Sequence, residues 1–159
     1  GNHELFSGVD PWVDHLKERG VRVLENEHVT LTHGQAQLNL VGVEDWEAKR
    51  LAPHRRPHLR GALEGADLKL PTILLAHQPK MAQEASTQGI DLQLSGHTHG
   101  GQIFPIGLPV YIDQKYFRGL YRIGDMTLYV SEGTGYWGPS LRVGRRSELT
   151  LIELTSSAP

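Results

Sequence analysis

At 159 residues, with 16 Lys+Arg against 18 Asp+Glu and a formal net charge of −2, the chain can build one sizeable core but lacks the basic stripe that non-specific nucleic-acid binding requires. The absence of cysteine excludes a disulfide framework and a thiolate zinc site, so any metal must be held by His, Asn, Asp or Glu. No apolar run approaches the roughly 20 residues that span a bilayer and no charged-then-apolar leader opens the chain, so a single soluble domain over 1–159 is expected.

The chain begins on Gly1, directly on a loop motif with no strand before it, and this reads as a truncated or trimmed start. Val9, Trp12, Val13 and Leu16 recur at helical spacing, and Gly20 follows as a stop, which predicts an amphipathic helix over 9–19. Residues 21–24, 28–32 and 37–43 run or alternate apolar between short turns, the pattern of a small antiparallel meander. Charged, proline-bearing 44–57 reads as a surface loop, and 59–63 as a short helix. Residues 72–76 form a continuous apolar run ending in His77-Gln78-Pro79, with a helix over 80–87 closed by Gly89. A second buried strand over 90–94 ends in the glycine-rich run 95–101. Residues 120–123 and 126–130, joined by Gly124-Asp125, predict a hairpin, and 149–154 a last strand. Buried strands alternating with helices imply an α/β class, and the hairpins imply a second, mixed sheet.

The polar clusters Asn2-His3, His77 and His97-Thr98-His99 fall at or just after strand ends, and in open α/β sheets that edge is where ligands bind. Gly96, Gly100 and Gly101 let the 97–99 loop turn sharply enough to aim two imidazoles at one point. An isolated His-x-His is equally a pair of surface histidines. His77 alone reads as a cap on the sheet edge, and Asn2 alone as ordinary turn chemistry. Together they form a candidate metal centre. Arg142, Arg145 and Arg146, near Tyr136-Trp137, either reach a phosphate or a substrate ring, or hold the last hairpin. The basic run His54 to Arg60 is a contact for an anion or a membrane surface, or a solvated loop. Trp12 and Trp46 read as packing residues.

Gly1-Asn2-His3-Glu4, Ala76-His77-Gln78-Pro79 and Gly96-His97-Thr98-His99 resemble, in order, the last three sequence blocks of the calcineurin-like metallophosphoesterases. The extension 100–105, with Glu132-Gly133-Thr134-Gly135-Tyr136 downstream, is similar to a subgroup of bacterial membrane-associated phosphoesterases and animal transmembrane proteins carrying this domain. The resemblance covers nearly the whole chain. It implies the C-terminal half of an α/β/β/α sandwich with mixed sheets, and hydrolysis of a phosphate mono-, di- or pyrophosphate ester by a metal-bridging hydroxide. It further implies that Asn2, His77 and His97 bind one divalent ion and His99 the other. His3 is implied to protonate the leaving oxygen, with Tyr136 and Arg142 as candidate substrate contacts.

Such ligands suit two ions of Mn, Fe, Zn or Ni. The implied partner is a phosphorylated small molecule or lipid, with no nucleic acid evident, and the parent protein is implied to be membrane-associated through a missing N-terminal segment. The family's first two blocks, Asp-x-His and Gly-Asp-x-x-Asp, do not occur in the chain. The isolated chain is therefore expected to be inactive and prone to self-association through an uncovered sheet. The alternative is a non-catalytic half-domain that binds a metal or a partner.

Overall fold

The computed structural model describes residues 1–105, 107, 112 and 114–155. The span 1–159 read as one domain includes positions outside that set. Among the described residues the strands are β1 (Glu27–His33), β2 (Ala36–Gly42), β3 (Thr72–Leu75), β4 (Leu92–Ser95), β5 (Gly119–Ile123) and β6 (Met126–Val130). They form one mixed six-stranded sheet in the order β1-β2-β3-β4-β6-β5. The helices are α1 (Asn2–Ser7), α2 (Val9–Glu18), α3 (Ala48–Leu51), α4 (Leu59–Ala62) and α5 (Ala82–Ala85). None is long and apolar enough to cross a membrane.

The α/β class and the mixed sheet follow from the sequence pattern. The continuous apolar run suits β3 as a central strand, paired in parallel with β2 and β4, with Leu74 buried in the core and Leu75 exposed on the opposite face. In β6, Met126, Leu128 and Val130 alternate with partly exposed Thr127 and Tyr129 and point into the core. That core packs Leu59 and Ala62 of α4, and Ala82 and Ala85 of α5, against Val41, Leu74 and Leu128 of the sheet. Buried Asn39 is fully engaged at its centre. It donates to Asp67 O at 2.9 Å and to Thr72 Oγ1 at 3.3 Å, and accepts from Thr30 Oγ1 at 3.0 Å. The opposite face carries an apolar groove lined by Leu24, Val29, Leu31, Leu40 and Leu75.

Strand direction places the site. β2, β3, β4 and β6 run mutually parallel, so the segments after each of them leave the sheet at one edge. His77 follows β3, His97 and His99 follow β4, and Glu132 and Gly133 follow β6. The two tight turns, Gly34-Gln35 and Gly124-Asp125, join the antiparallel pairs at the far edge.

Several elements differ from the sequence reading. The hairpins form the two ends of the same sheet, because β2 pairs directly with β3 and β6 with β4. Residues 21–24 are not a strand: they join no ladder, and Leu24 packs against Gly42 at the end of β2. Residues 149–154 form no strand either: they join no ladder, and Leu149 and Leu151 stand 90% and 94% exposed. That segment is tied instead through its polar side chains, with Tyr129 Oη touching Glu148 and lying 2.6 Å from Thr150 Oγ1.

Asn2 and His3 begin a helix rather than lying on a loop, and the 80–87 helix divides into a 3₁₀ turn Pro79–Met81 and α5. The 44–57 loop contains α3 and a 3₁₀ turn, Pro53–Arg55. There Arg55, 16% exposed, pairs with Asp10 and Glu44 at 2.8 Å each and also with Glu25, pinning α2 to the sheet edge. The basic run is thus partly a structural ion cluster. Trp12 is 46% exposed and donates to Ser7 Oγ at 3.1 Å, whereas Trp46 packs against the core as expected.

Candidate functional site

The turn after β4 is built on left-handed backbone. His97 (φ 70°), His99 (φ 50°) and Gln102 (φ 39°) adopt it, as do Gly100 and Gly101. Non-glycine residues visit this region rarely and at a cost of about 1–2 kcal/mol each, so surrounding bonds must hold it. Gly96 N–H donates to His77 O at 2.9 Å, Gly101 N–H to Thr98 O at 2.9 Å and Gln102 N–H to His99 O at 3.0 Å. The buried Thr98 hydroxyl donates to Phe117 O at 2.7 Å and accepts from Gly100 N–H at 3.4 Å. The flanking glycines foretell a sharp turn, but the histidines themselves carry part of the strain.

Three segments distant in sequence converge at the sheet edge. His77 Nε2 lies 3.1 Å from Asn2 Oδ1, and the His77 and His97 rings meet edge to face with centroids 5.2 Å apart. A methyl group at position 1 would stand 2.9 Å from His77 Nε2, so glycine there lets the backbone approach the ring. A cleft of about 290 Å³ is lined by Asn2, His3, His77, His99, Tyr136 and Trp137, together with Gly1 and Glu4. His3 and Tyr136 are exposed at it.

Arg142 does not line this cleft. Its guanidinium donates to the carbonyl oxygens of His99 at 3.2 Å, Glu132 at 2.8 Å and Gly133 at 3.1 Å, and to Gly135 O through Nε at 3.1 Å. Its Nη2 also stands 3.5 Å from His99 Nδ1. Arg145 Nε donates to Gly100 O at 2.9 Å. The contacts of Arg142 and Arg145 are those of clamps on the histidine turn, a role apart from both sequence alternatives, a phosphate or ring contact and a hold on the last hairpin. The sequence pattern gives no role to Gln102 or Trp137. The Gly-Gly-Gln run was the signal available for the first.

The donor chemistry fits a divalent transition ion. Donors on adjacent positions of an ion with bonds of about 2.1 Å stand about 3 Å apart. The Asn2–His77 contact matches that spacing. Among the described residues, however, no group of three or more His, Asp or Glu side chains is arranged to hold a cation. Burial, then the Gly1 ammonium and the His97 ring, pushes His77 down to about 3, and burial with the neighbouring Arg142 lowers His99 from the ordinary imidazole range. Both rings therefore keep a free lone pair at neutral pH, the form that ligates metal.

The same shift sets a stability dependence. The unfolded His77 ring takes up a proton below its ordinary value of 6.5 that the folded ring refuses until about 3. The metal-free chain is expected to lose stability as pH falls through that window, by at most about 1.4 kcal/mol per pH unit from this one group. Melting temperatures from pH 7 to 4 check it: His77→Gln should flatten the curve relative to the unaltered chain, and an unchanged slope would remove His77 as the cause.

No family model matches the chain. It is 43% identical over 156 residues to an uncharacterized metallophosphoesterase of Helicobacter pylori, covering 97% of this chain and 41% of that protein. It is 42% identical over 170 residues to the transmembrane protein with metallophosphoesterase domain of Bos taurus, covering 99% and 38% respectively. An uncharacterized metallophosphoesterase of Aquifex aeolicus is 33% identical over 156 residues, covering 97% and 58%. The chain thus spans about two fifths of the length of the first two relatives.

Proposed function

Since the chain belongs with the metallophosphoesterases, we propose that it furnishes part of a centre that hydrolyses phosphate esters, holding one divalent ion through Asn2, His77 and His97 and a second through His99. The observation that carries this reading is the meeting of Asn2 Oδ1 and His77 Nε2 at 3.1 Å, beside His97, from three separate stretches of sequence. Two such ions, when bound, polarise the phosphoryl group and lower the pKa of water. Mn, Fe, Zn and Ni all suit the donor set.

The chain's own residues have distinct tasks in this proposal. Neutral His77 presents a lone pair, and the start of helix α1 carries the Asn2 amide oxygen to it. His3, exposed at the cleft, donates its imidazole proton to the leaving oxygen. Tyr136 borders the leaving group. Arg142 acts as a positioning residue through the His99 carbonyl rather than on the phosphate itself. The substrate is a phosphorylated small molecule or lipid.

A second reading, a module that binds an ion or a partner and hydrolyses nothing, is favoured by the lack of a three-membered His, Asp or Glu group among the described residues. Turnover of bis(p-nitrophenyl) phosphate with Mn²⁺ distinguishes the two. A longer version carrying Asp-x-His and Gly-Asp-x-x-Asp blocks is expected to hydrolyse it, with the 159-residue chain at least about a hundredfold slower. Equal rates would show that the added carboxylates are dispensable, and no turnover by either would leave the module reading.

A further inference from the structure

The run Gly100-Gly101-Gln102 ends in a glutamine that is 1% exposed and whose carboxamide is fully engaged. Its Nε2 donates to Trp137 O at 2.8 Å and Pro139 O at 3.2 Å, and its Oε1 accepts from Trp137 N–H at 2.8 Å. One side chain therefore grips the Trp137 backbone at both its donor and its acceptor. The Gln102 backbone is joined to the histidine turn through His99 O and to the chain beyond Arg142 through Val143 N–H. Only an amide supplies a donor pair and an acceptor in this arrangement. A carboxylate of the same shape would confront two carbonyl oxygens with no proton to offer.

Tyr136 and Trp137, 57% and 46% exposed, line the cleft together with His3 and His77. A wall of two aromatic side chains beside a candidate phosphate site provides flat apolar surface where the ester's organic group would leave. We propose that Gln102 is a positioning residue that sets this aromatic wall against His99, and that the wall selects phosphoesters with a planar, unsaturated leaving group. This inference rests on the phosphoester reading of the site. It adds the class of leaving group, and it gives a function to a buried amide that contacts neither the ester nor any candidate metal ligand side chain.

The test compares binding of phenyl phosphate and methyl phosphate to the Mn²⁺-loaded chain by titration calorimetry, alongside hydrogen exchange at the Trp137 amide. The unaltered chain is expected to prefer phenyl phosphate by about two- to twelvefold, the range of an aromatic contact. Trp137→Ala should abolish the preference. Gln102→Glu should abolish it as well and accelerate exchange of the Trp137 amide, and Gln102→Met, which keeps the length and removes the hydrogen bonds without adding a charge, should do the same. Equal affinity for the two esters in the unaltered chain, or a preference retained in Trp137→Ala, overturns the selection, and a preference retained in both Gln102 variants overturns the role of Gln102. Binding of neither ester would defeat the phosphoester reading and the selection together. The exchange rate, which needs no ligand, then still decides whether Gln102 holds the wall, and unchanged exchange in both variants overturns that part.

Discussion

Alanine at His77 is expected to lower the affinity of the chain for Mn²⁺ by at least about a hundredfold, since even groups that only orient a ligand contribute ten- to hundredfold. His77 is the hub of the candidate centre: it touches Asn2 through Nε2 and His97 through its ring edge, and it borders the cleft. Its removal leaves Asn2 without a neighbouring donor and opens a void beside His97, so the effect should exceed that of Asn2→Ala. The fold should persist, because His77 lies beyond the last β3 pairing and outside the hydrophobic cluster. Exposed His54, replaced in the same way, is the control and should change nothing. Titration calorimetry checks the order of effects. Affinities that match for His77→Ala and His54→Ala would mean that the ion is held elsewhere, and the proposed centre would fall.

Alanine at Gly100 is expected to destabilise the chain by about 2 kcal/mol or more and to weaken metal binding with it. Two causes add. Gly100 sits at φ 57°, where a side chain costs about 1–2 kcal/mol. A Cβ there would also lie 2.3 Å from Glu132 Oε2 and 2.8 Å from Glu132 Cγ. The carboxylate cannot swing aside freely, since its other oxygen pairs with Arg118 at 3.2 Å and the Glu132 backbone oxygen is held by Arg142. Relief must come from the turn, which moves His99. Denaturant unfolding with and without Mn²⁺ measures both effects, and Gly20→Ala offers a comparison with positive φ but open space around it. If the two alanines cost the same, backbone conformation alone explains Gly100 and the Glu132 contact is immaterial.

What was legible in the sequence is what short-range pattern controls. The apolar runs of β3 and β4 and the hairpin of β5 and β6 followed from alternation and turn residues, and the histidines followed from their place at strand ends. The misread strands at 21–24 and 149–154 show the limit. Their patterns satisfy the local rule, but a strand also needs a partner brought to it by the tertiary fold, and neither segment joins a ladder. The left-handed conformation at His97 and His99 was hidden likewise, because hydrogen bonds from Thr98 and from the residue pair Gly96 and His77 impose it against intrinsic preference. Arg142 and Gln102 were opaque for another reason. Arg142 bonds to the carbonyl oxygens of Glu132, Gly133 and Gly135 as well as of distant His99, and Gln102 grips the backbone of Trp137 and Pro139; a backbone group carries no signature of residue type.

Because both tight turns sit at the edge of the sheet remote from the histidines, the domain has a natural back side. A strand of five residues separates the two by about 15 Å. The Gly124-Asp125 corner, whose carboxylate projects fully into solvent, is thus the place to graft a biotin acceptor peptide or a dye and anchor the chain to a bead or sensor chip. Molecules mounted there would all present the mouth of the cleft to the flowing solution.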